Sequence, residues 1–290
     1  MKISTEIASA AKHIGEEKTL EYLGKAGFDA WDFSLFEICP NSNSTVPNRL
    51  VPHPLSTGEA LRFARKLKQI GLDNGLVCNQ SHAPFPILRE DIWPKLELAM
   101  ECTAEAGGKI CVIHPNNAGT AEENAEIYRQ LLPIAKGYGI KIATENMWHW
   151  DREKDESSFA ACATSESFVQ HIDIVNDPDF VACLDLGHAE MRGSGSGAVN
   201  MILALGDRLQ ALHIHDNDRW HDSHQIPFSM EMDFISIVSA LKKIGYSGYF
   251  TLEADKYLND RTPETVFDGI KTMALQARRL AELFESTVIE

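Results

Sequence analysis

The chain has 290 residues, 27 Lys and Arg against 42 Asp and Glu, a net charge of −15, and 44% hydrophobic residues with no long apolar run. That composition allows a large soluble core and excludes the disordered and membrane-spanning classes. The acidity weighs against nucleic acid as a partner, because phosphate binding draws most of its affinity from Lys and Arg.

Short apolar runs alternate with stretches of helical period. A strand over Lys2–Ala8 precedes a helix over Glu17–Ala26, and a strand over Ala30–Phe36 leads through the connection Glu37–Ser56, with Pro40, Pro47, Pro52 and Pro54, into a helix over Thr57–Gly71. Next come strand Gly75–Cys78 and helix Asp91–Ala106, strand Lys109–His114 and helix Ala121–Tyr138, and strand Lys141–Glu145. A long connection, Trp148–Ala163, leads to helix Ser165–Val175. Strand Phe180–Leu186 and helix Ala198–Leu205 flank the Gly/Ser-rich stretch Gly193–Gly197, which reads as a flexible loop. Strand Leu209–His215 leads through Asp216–Met232 to helix Asp233–Ile244, and strand Tyr249–Glu253 to helix Thr265–Phe284. Gly107, Gly139 and Gly245 close three helices, as the left-handed position past a helix end favours.

Eight strand–helix pairs in strict alternation predict a parallel sheet covered by helices, closed as one (β/α)8 TIM barrel over residues 1–290. No GxGxxG follows an early strand, which argues against the doubly wound alternative. The three long connections all follow strands, and so lie on the barrel face where loops build active sites. The six cysteines show no CxxC spacing and read as reduced thiols. The N-terminus lacks a sustained apolar segment, so a cytoplasmic location is expected. Homo-oligomerisation is left open.

Residues able to bind metal gather at the strand ends. The third exits into Ser81-His82-Ala83-Pro84, the fourth into His114-Pro115-Asn116-Asn117, the fifth at Glu145-Asn146, the sixth at Asp185-Leu186-Gly187-His188, the seventh at His213-Ile214-His215-Asp216-Asn217-Asp218, and the eighth at Glu253. Glu145, Asp185, His215 and Glu253 follow one another at intervals of 40, 30 and 38 residues, each close to one strand-plus-helix unit. They would converge at the barrel mouth. This mixed oxygen and nitrogen set suits a divalent ion such as Zn, Mn, Co or Mg, and three carboxylates on one rim would repel one another without a cation. His213 and His215 share a strand face, and His215, nearer the strand end, is favoured as ligand. Singly, His82, His114 or His188 reads as an ordinary hydrogen-bonded residue; the weight lies in the convergence. His13, His53, His149 and His171 read as surface residues, and Trp148, Trp150 and Trp220 as an aromatic rim able to stack on a sugar or to form a lid. Arg219 and Lys256 are candidates to meet a phosphate or acid group.

With these motifs, and with Gly245-Tyr246-Ser247-Gly248 leading to Leu252-Glu253, the chain resembles the xylose isomerase-like TIM barrel superfamily of sugar isomerases and epimerases. That superfamily also includes endonuclease IV and the AP endonuclease family 2. The resemblance implies that Glu145, Asp185, His215 and Glu253 bind one divalent ion, as in ketose 3-epimerases, and that His188 meets substrate; His82, His114 and Arg219 are further candidate substrate contacts. The likeness to endonuclease IV implies His82, His114, His188, Asp222 and His224 as additional ligands, for one to three ions per chain. The expected activity is a metal-dependent sugar isomerase or epimerase that abstracts a proton next to a carbonyl through an enediolate, with Glu145 and Glu253 as catalytic carboxylates. A multinuclear zinc phosphoesterase, a metal-dependent dehydratase of a cyclic polyol ketone and a non-catalytic carbohydrate-binding barrel are the alternatives.

Overall fold

The computed structural model describes residues 1–39, 52–193 and 195–288. Its strands, in chain order, are β1 (Ile3–Thr5), β2 (Ala30–Ser34), β3 (Val77–His82), β4 (Ile110–Val112), β5 (Lys141–Glu145), β6 (His149–Asp151), β7 (Glu156–Ser158), β8 (Phe180–Asp185), β9 (Leu209–His213) and β10 (Phe250–Leu252). Six of them form a parallel sheet in the order β2-β3-β4-β5-β8-β9, and β10 pairs in parallel with β1. Parallel bridges from Glu6 to Asp32 and from Ile214 to Leu252 join the two sheets. The result is a closed eight-stranded (β/α)8 barrel, and β6–β7 stands apart as an antiparallel hairpin after the fifth barrel strand.

The helices are α1 (Ala8–Ile14), α2 (Glu16–Ala26), α3 (Ala60–Asp73), α4 (Trp93–Ala106), α5 (Ala121–Gly137), α6 (Ser165–Val175), α7 (Leu186–Glu190), α8 (Ala198–Leu205), α9 (Phe234–Lys243) and α10 (Val266–Ser286). Their starts are chemically marked. Thr120 and Glu123 form a capping box on α5, Thr164 caps α6, and Asp233 accepts the Ile235 and Ser236 amides at α9. Each such cap satisfies a first-turn amide that has no partner within the helix. Gly107 adopts the left-handed conformation at the end of α4, as its place in the sequence implies.

Alternation along the strands sorts two cores. Outward positions such as Ile142, Leu184, Leu212 and Leu252 pack under the helices, whereas Val112, Ala143, Val181, Cys183 and Ala211 form a second cluster inside the barrel. Side chains two apart share a face, so Glu145 stands above Ala143, Asp185 above Cys183, and His213 above Ala211. Small residues below leave the lumen able to accept large polar ones above.

Several elements depart from expectation. Strand β1 stops at Thr5, because the Glu6 carboxylate accepts the Ser9 amide at 3.0 Å and starts α1, a helix without a long apolar face to announce it. Strand β3 runs on to His82 through Asn79 and Gln80, whose polarity hides the strand in sequence; both bond within the lumen. His53 and His171, expected at the surface, are buried, with His53 bonded to Glu16 and His171 to the Ser167 carbonyl. In the connection Glu37–Ser56, residues 40–51, with Pro40 and Pro47, lie outside the described residues, as does Ser194 of the Gly/Ser stretch.

Candidate metal centre

The strand ends surround a cavity of about 550 Å³ whose lining includes Phe36, His82, Phe85, His114, Glu145, Trp148, His188, Asp222, His224 and Glu253. Four sets of ligand atoms stand at its base, the members of each set within 4.8 Å of one another: His82, His114 and Glu145; His82, His213 and Glu253; Glu145, Asp185, His213 and Glu253; and His188, His215, Asp222 and His224. The first three overlap, with His82, Glu145, His213 and Glu253 each belonging to two of them.

Neighbouring motifs lock one another in place. The Asn146 side chain accepts the Asp185 amide at 2.8 Å and donates to the Asp185 carbonyl at 2.9 Å, and its own carbonyl accepts from His188 Nδ1 at 2.9 Å. Asp185 also caps α7 by accepting the His188 amide at 2.7 Å. His224 Nδ1 donates to the Glu253 carbonyl at 2.7 Å, which leaves Nε2 facing Asp222 at 3.0 Å. In His188 and His224 alike, one ring nitrogen is fixed by a backbone carbonyl and the other is presented to the cavity, the arrangement that orients a metal-binding imidazole. Asp216 is the anchor of the long loop after β9: fully buried, it accepts the amides of Ser229, Met230 and Met232 at 2.8–3.1 Å. Gly187 makes room for His215, since a Cβ there would lie 1.9 Å from the ring, which stacks on His224 at 4.0 Å between centroids.

His213, and not the favoured His215, joins the three carboxylates: its Nδ1 lies 2.9 Å from Glu145 and 3.6 Å from Glu253. His215 sits two residues further along the chain, about 6–7 Å for extended backbone. Its Nε2 lies 3.1 Å from Asp185 and 3.5 Å from Asp222, so it belongs to the outer set. Height in the barrel separates two histidines that periodicity placed on one face. Arg219 stands apart from the cavity lining, more than half exposed and paired with Glu190 at 3.2 Å, and Lys256 bonds the Asp222 carbonyl. Asp32 and Gln80, which bond each other at 3.0 Å beneath His213, are lumenal residues that the search for strand-end ligands missed.

The electrostatics mark a cluster with an excess of acceptors. Burial by itself would raise the Glu145 carboxyl, but the His213 and His114 rings reverse this and hold it well below the usual range. Burial, reinforced by the Glu145 charge and only partly offset by His213, pushes Glu253 well above that range. His82 is pushed down by burial and by His114, whose Nε2 faces its own at 2.7 Å. Buried Glu145 Oε2, Asp185 Oδ2, Asp222 Oδ1 and both His215 ring nitrogens have no hydrogen-bond partner. Such atoms cost several kcal/mol each unless something satisfies them. A divalent cation would do so, and the donor set of carboxylate oxygens and imidazole nitrogens fits one.

The xylose isomerase-like TIM barrel family model matches residues 20–276. The chain belongs to this family. Among relatives, the uncharacterized protein MJ1311 of Methanocaldococcus jannaschii is 23% identical over 253 residues, covering 81% of this chain and 78% of its own. Among solved structures, IolI, determined with a binding zinc atom, matches over 99% of this chain and 100% of its own, with TM-score 0.76 and 20% identity. The 3-keto-D-glucoside 4-epimerase YcjR from E. coli matches over 96% and 99%, with TM-score 0.70 and 16% identity. At these identities the structural likeness carries the family's barrel. No helix among the described residues is long and apolar enough to cross a membrane.

Proposed function

We propose that this xylose isomerase-like barrel is a divalent-metal-dependent isomerase or epimerase of a small sugar or polyol. The observation that carries the reading is the grouping of Glu145, Asp185, His213 and Glu253, three carboxylates and one imidazole with unpartnered oxygens, at the base of a cavity walled by Phe36, Phe85 and Trp148. The zinc of IolI and the epimerase activity named for YcjR support it.

These four residues would hold the ion, which when bound supplies Lewis-acid polarisation of a carbonyl oxygen. Glu145 and Glu253, from β5 and the end of β10, are the proton carriers. One takes the proton from the carbon beside the carbonyl, leaving an enediolate, and the other returns a proton from the opposite face. His188 and His82, held at the cavity wall, contact substrate hydroxyls, and the aromatic wall excludes water around the reacting carbon. The test is solvent deuterium incorporation into a panel of ketoses and inososes, followed by mass spectrometry with and without metal stripping. Exchange that needs the metal supports the reading; exchange unaffected by stripping sinks it.

A second reading, a multinuclear zinc phosphoesterase, is favoured by the sets His82, His114 and Glu145 and His188, His215, Asp222 and His224. Two or three zinc ions per chain, together with cleavage of bis(p-nitrophenyl) phosphate, would put it first. One ion per chain and no cleavage would remove it.

A further inference from the structure

Asp32 lies at the bottom of the site, 1% exposed, and no ligand set includes it. Its Oδ2 is 3.3 Å from His213 Nε2 and accepts from Gln80 Nε2 at 3.0 Å. His213 Nε2 and Asp32 Oδ1 are both buried without a hydrogen-bond partner, so the approach of Asp32 Oδ2 is the polar contact available to this ring nitrogen. The orientation of Gln80 is fixed by its other end. Gln80 Oε1 accepts from Asn79 Nδ2 at 3.1 Å and Thr251 Oγ1 at 3.3 Å, and Asn79 Oδ1 accepts from Ser4 Oγ at 2.6 Å. Every donor in this chain of side chains, drawn from β1, β3 and β10, leads toward the Asp32 carboxylate on β2.

We infer that Asp32, oriented by Gln80, is the positioning residue of the metal centre: it receives the His213 Nε2 proton and so turns the Nδ1 lone pair toward Glu145, Asp185 and Glu253. The physical reason is that a neutral imidazole carries one ring proton and offers one lone pair, so the partner of one nitrogen decides what the other can bind. A carboxylate behind a ligating histidine also raises its basicity, and loss of such a partner typically costs 10–100-fold in metal affinity. Packing alone does not account for the residue. A buried carboxylate in a barrel floor costs stability that an apolar side chain would avoid, and β4, β5, β8 and β9 fill the same lumen with Val, Ala and Cys.

The inference rests on His213 being a ligand, so the experiment separates the two claims. Zinc affinity is measured by competition with a chromogenic chelator for the wild type, His213→Gln and Asp32→Asn, and the downfield imidazole N–H protons of the zinc-loaded proteins are recorded by NMR. The expected result is tight zinc binding by the wild type and a 10–100-fold loss in Asp32→Asn. One downfield N–H resonance should be lost in His213→Gln and shifted or broadened away in Asp32→Asn, with thermal unfolding of the metal-free variant unchanged. A merely structural Asp32 would leave affinity and resonance alone, and retention of zinc affinity within twofold in Asp32→Asn overturns the inference while the metal reading stands. Failure of the wild type to take up zinc overturns both. If Asp32→Asn does not fold, Gln80→Met, which keeps the carboxylate but frees it to turn, carries the same comparison. At least a threefold loss of affinity is expected there, and an unchanged affinity overturns the inference.

Discussion

Glu145 and Glu253 each belong to two ligand sets, and burial suppresses the charge of Glu253. Substituting either one by Gln keeps the shape and removes the base. Glu145→Gln and Glu253→Gln are each expected to slow solvent deuterium exchange by roughly 10²–10⁴-fold, and each should also weaken metal binding, read by elemental analysis. Gly187 is a residue whose value is its missing side chain. In Gly187→Ala the new methyl collides with a ring already stacked on His224, so a loss of roughly 1–3 kcal/mol in stability is expected, with zinc lost from the outer set, checked by denaturation and elemental analysis. Glu6 provides a pH test away from the ligands. Burial pushes its carboxyl from 4.5 up to about 7, against its bonds to Ser9. A raised folded pKa means the native state binds the proton more tightly than the unfolded chain. The stabilisation is therefore complete below about pH 4.5 and lost as pH rises through about 7, at most about 3 kcal/mol. Relative to wild type, Glu6→Gln should flatten the stability profile across that window; parallel profiles in chemical denaturation would refute it.

Connections, more than strands or helices, carry what periodicity did not reveal. The loop after β9 brings Asp222 and His224 to the cavity because Asp216 gathers its amides from within. Asp216→Ala strands those donors, and the expected outcome is a loop cut rapidly in limited proteolysis, with outer-set metal lost while the barrel's far-ultraviolet circular dichroism is retained. The hairpin β6–β7 is invisible to apolar alternation because each strand is three residues long and, Trp150 apart, polar. Its placement follows from contacts such as Trp150 stacked on His221 at 5.8 Å, and Ser157 bonding the Arg192 carbonyl. Helix α7 likewise has no amphipathic signal; it exists because Asp185 caps it. By contrast, α5, α6 and α9 were legible, since a cap followed by periodic apolar residues is written entirely in local sequence.

For the molecule as a whole, the charge of −15 includes a buried group of carboxylates that fold together at a cost. An ion bound only by the native state would offset it, by about 4 kcal/mol at free ion a thousandfold above its dissociation constant. Chelation is therefore expected to lower the melting temperature by several degrees, and zinc or manganese to restore it, followed by scanning calorimetry. Strand and helix alternation determined the closed barrel and the rim on which chemistry is placed, because both follow from periods of two and 3.6 along the chain. The same periods delivered Glu145, Asp185 and Glu253 to one face. Sequence favoured His215 over His213, which shares its face and stands with the three carboxylates, and did not find Asp32 and Gln80, which lie deeper within the barrel. Depth along the barrel axis is set by how neighbouring strands are staggered, and only the closed tertiary structure fixes that register.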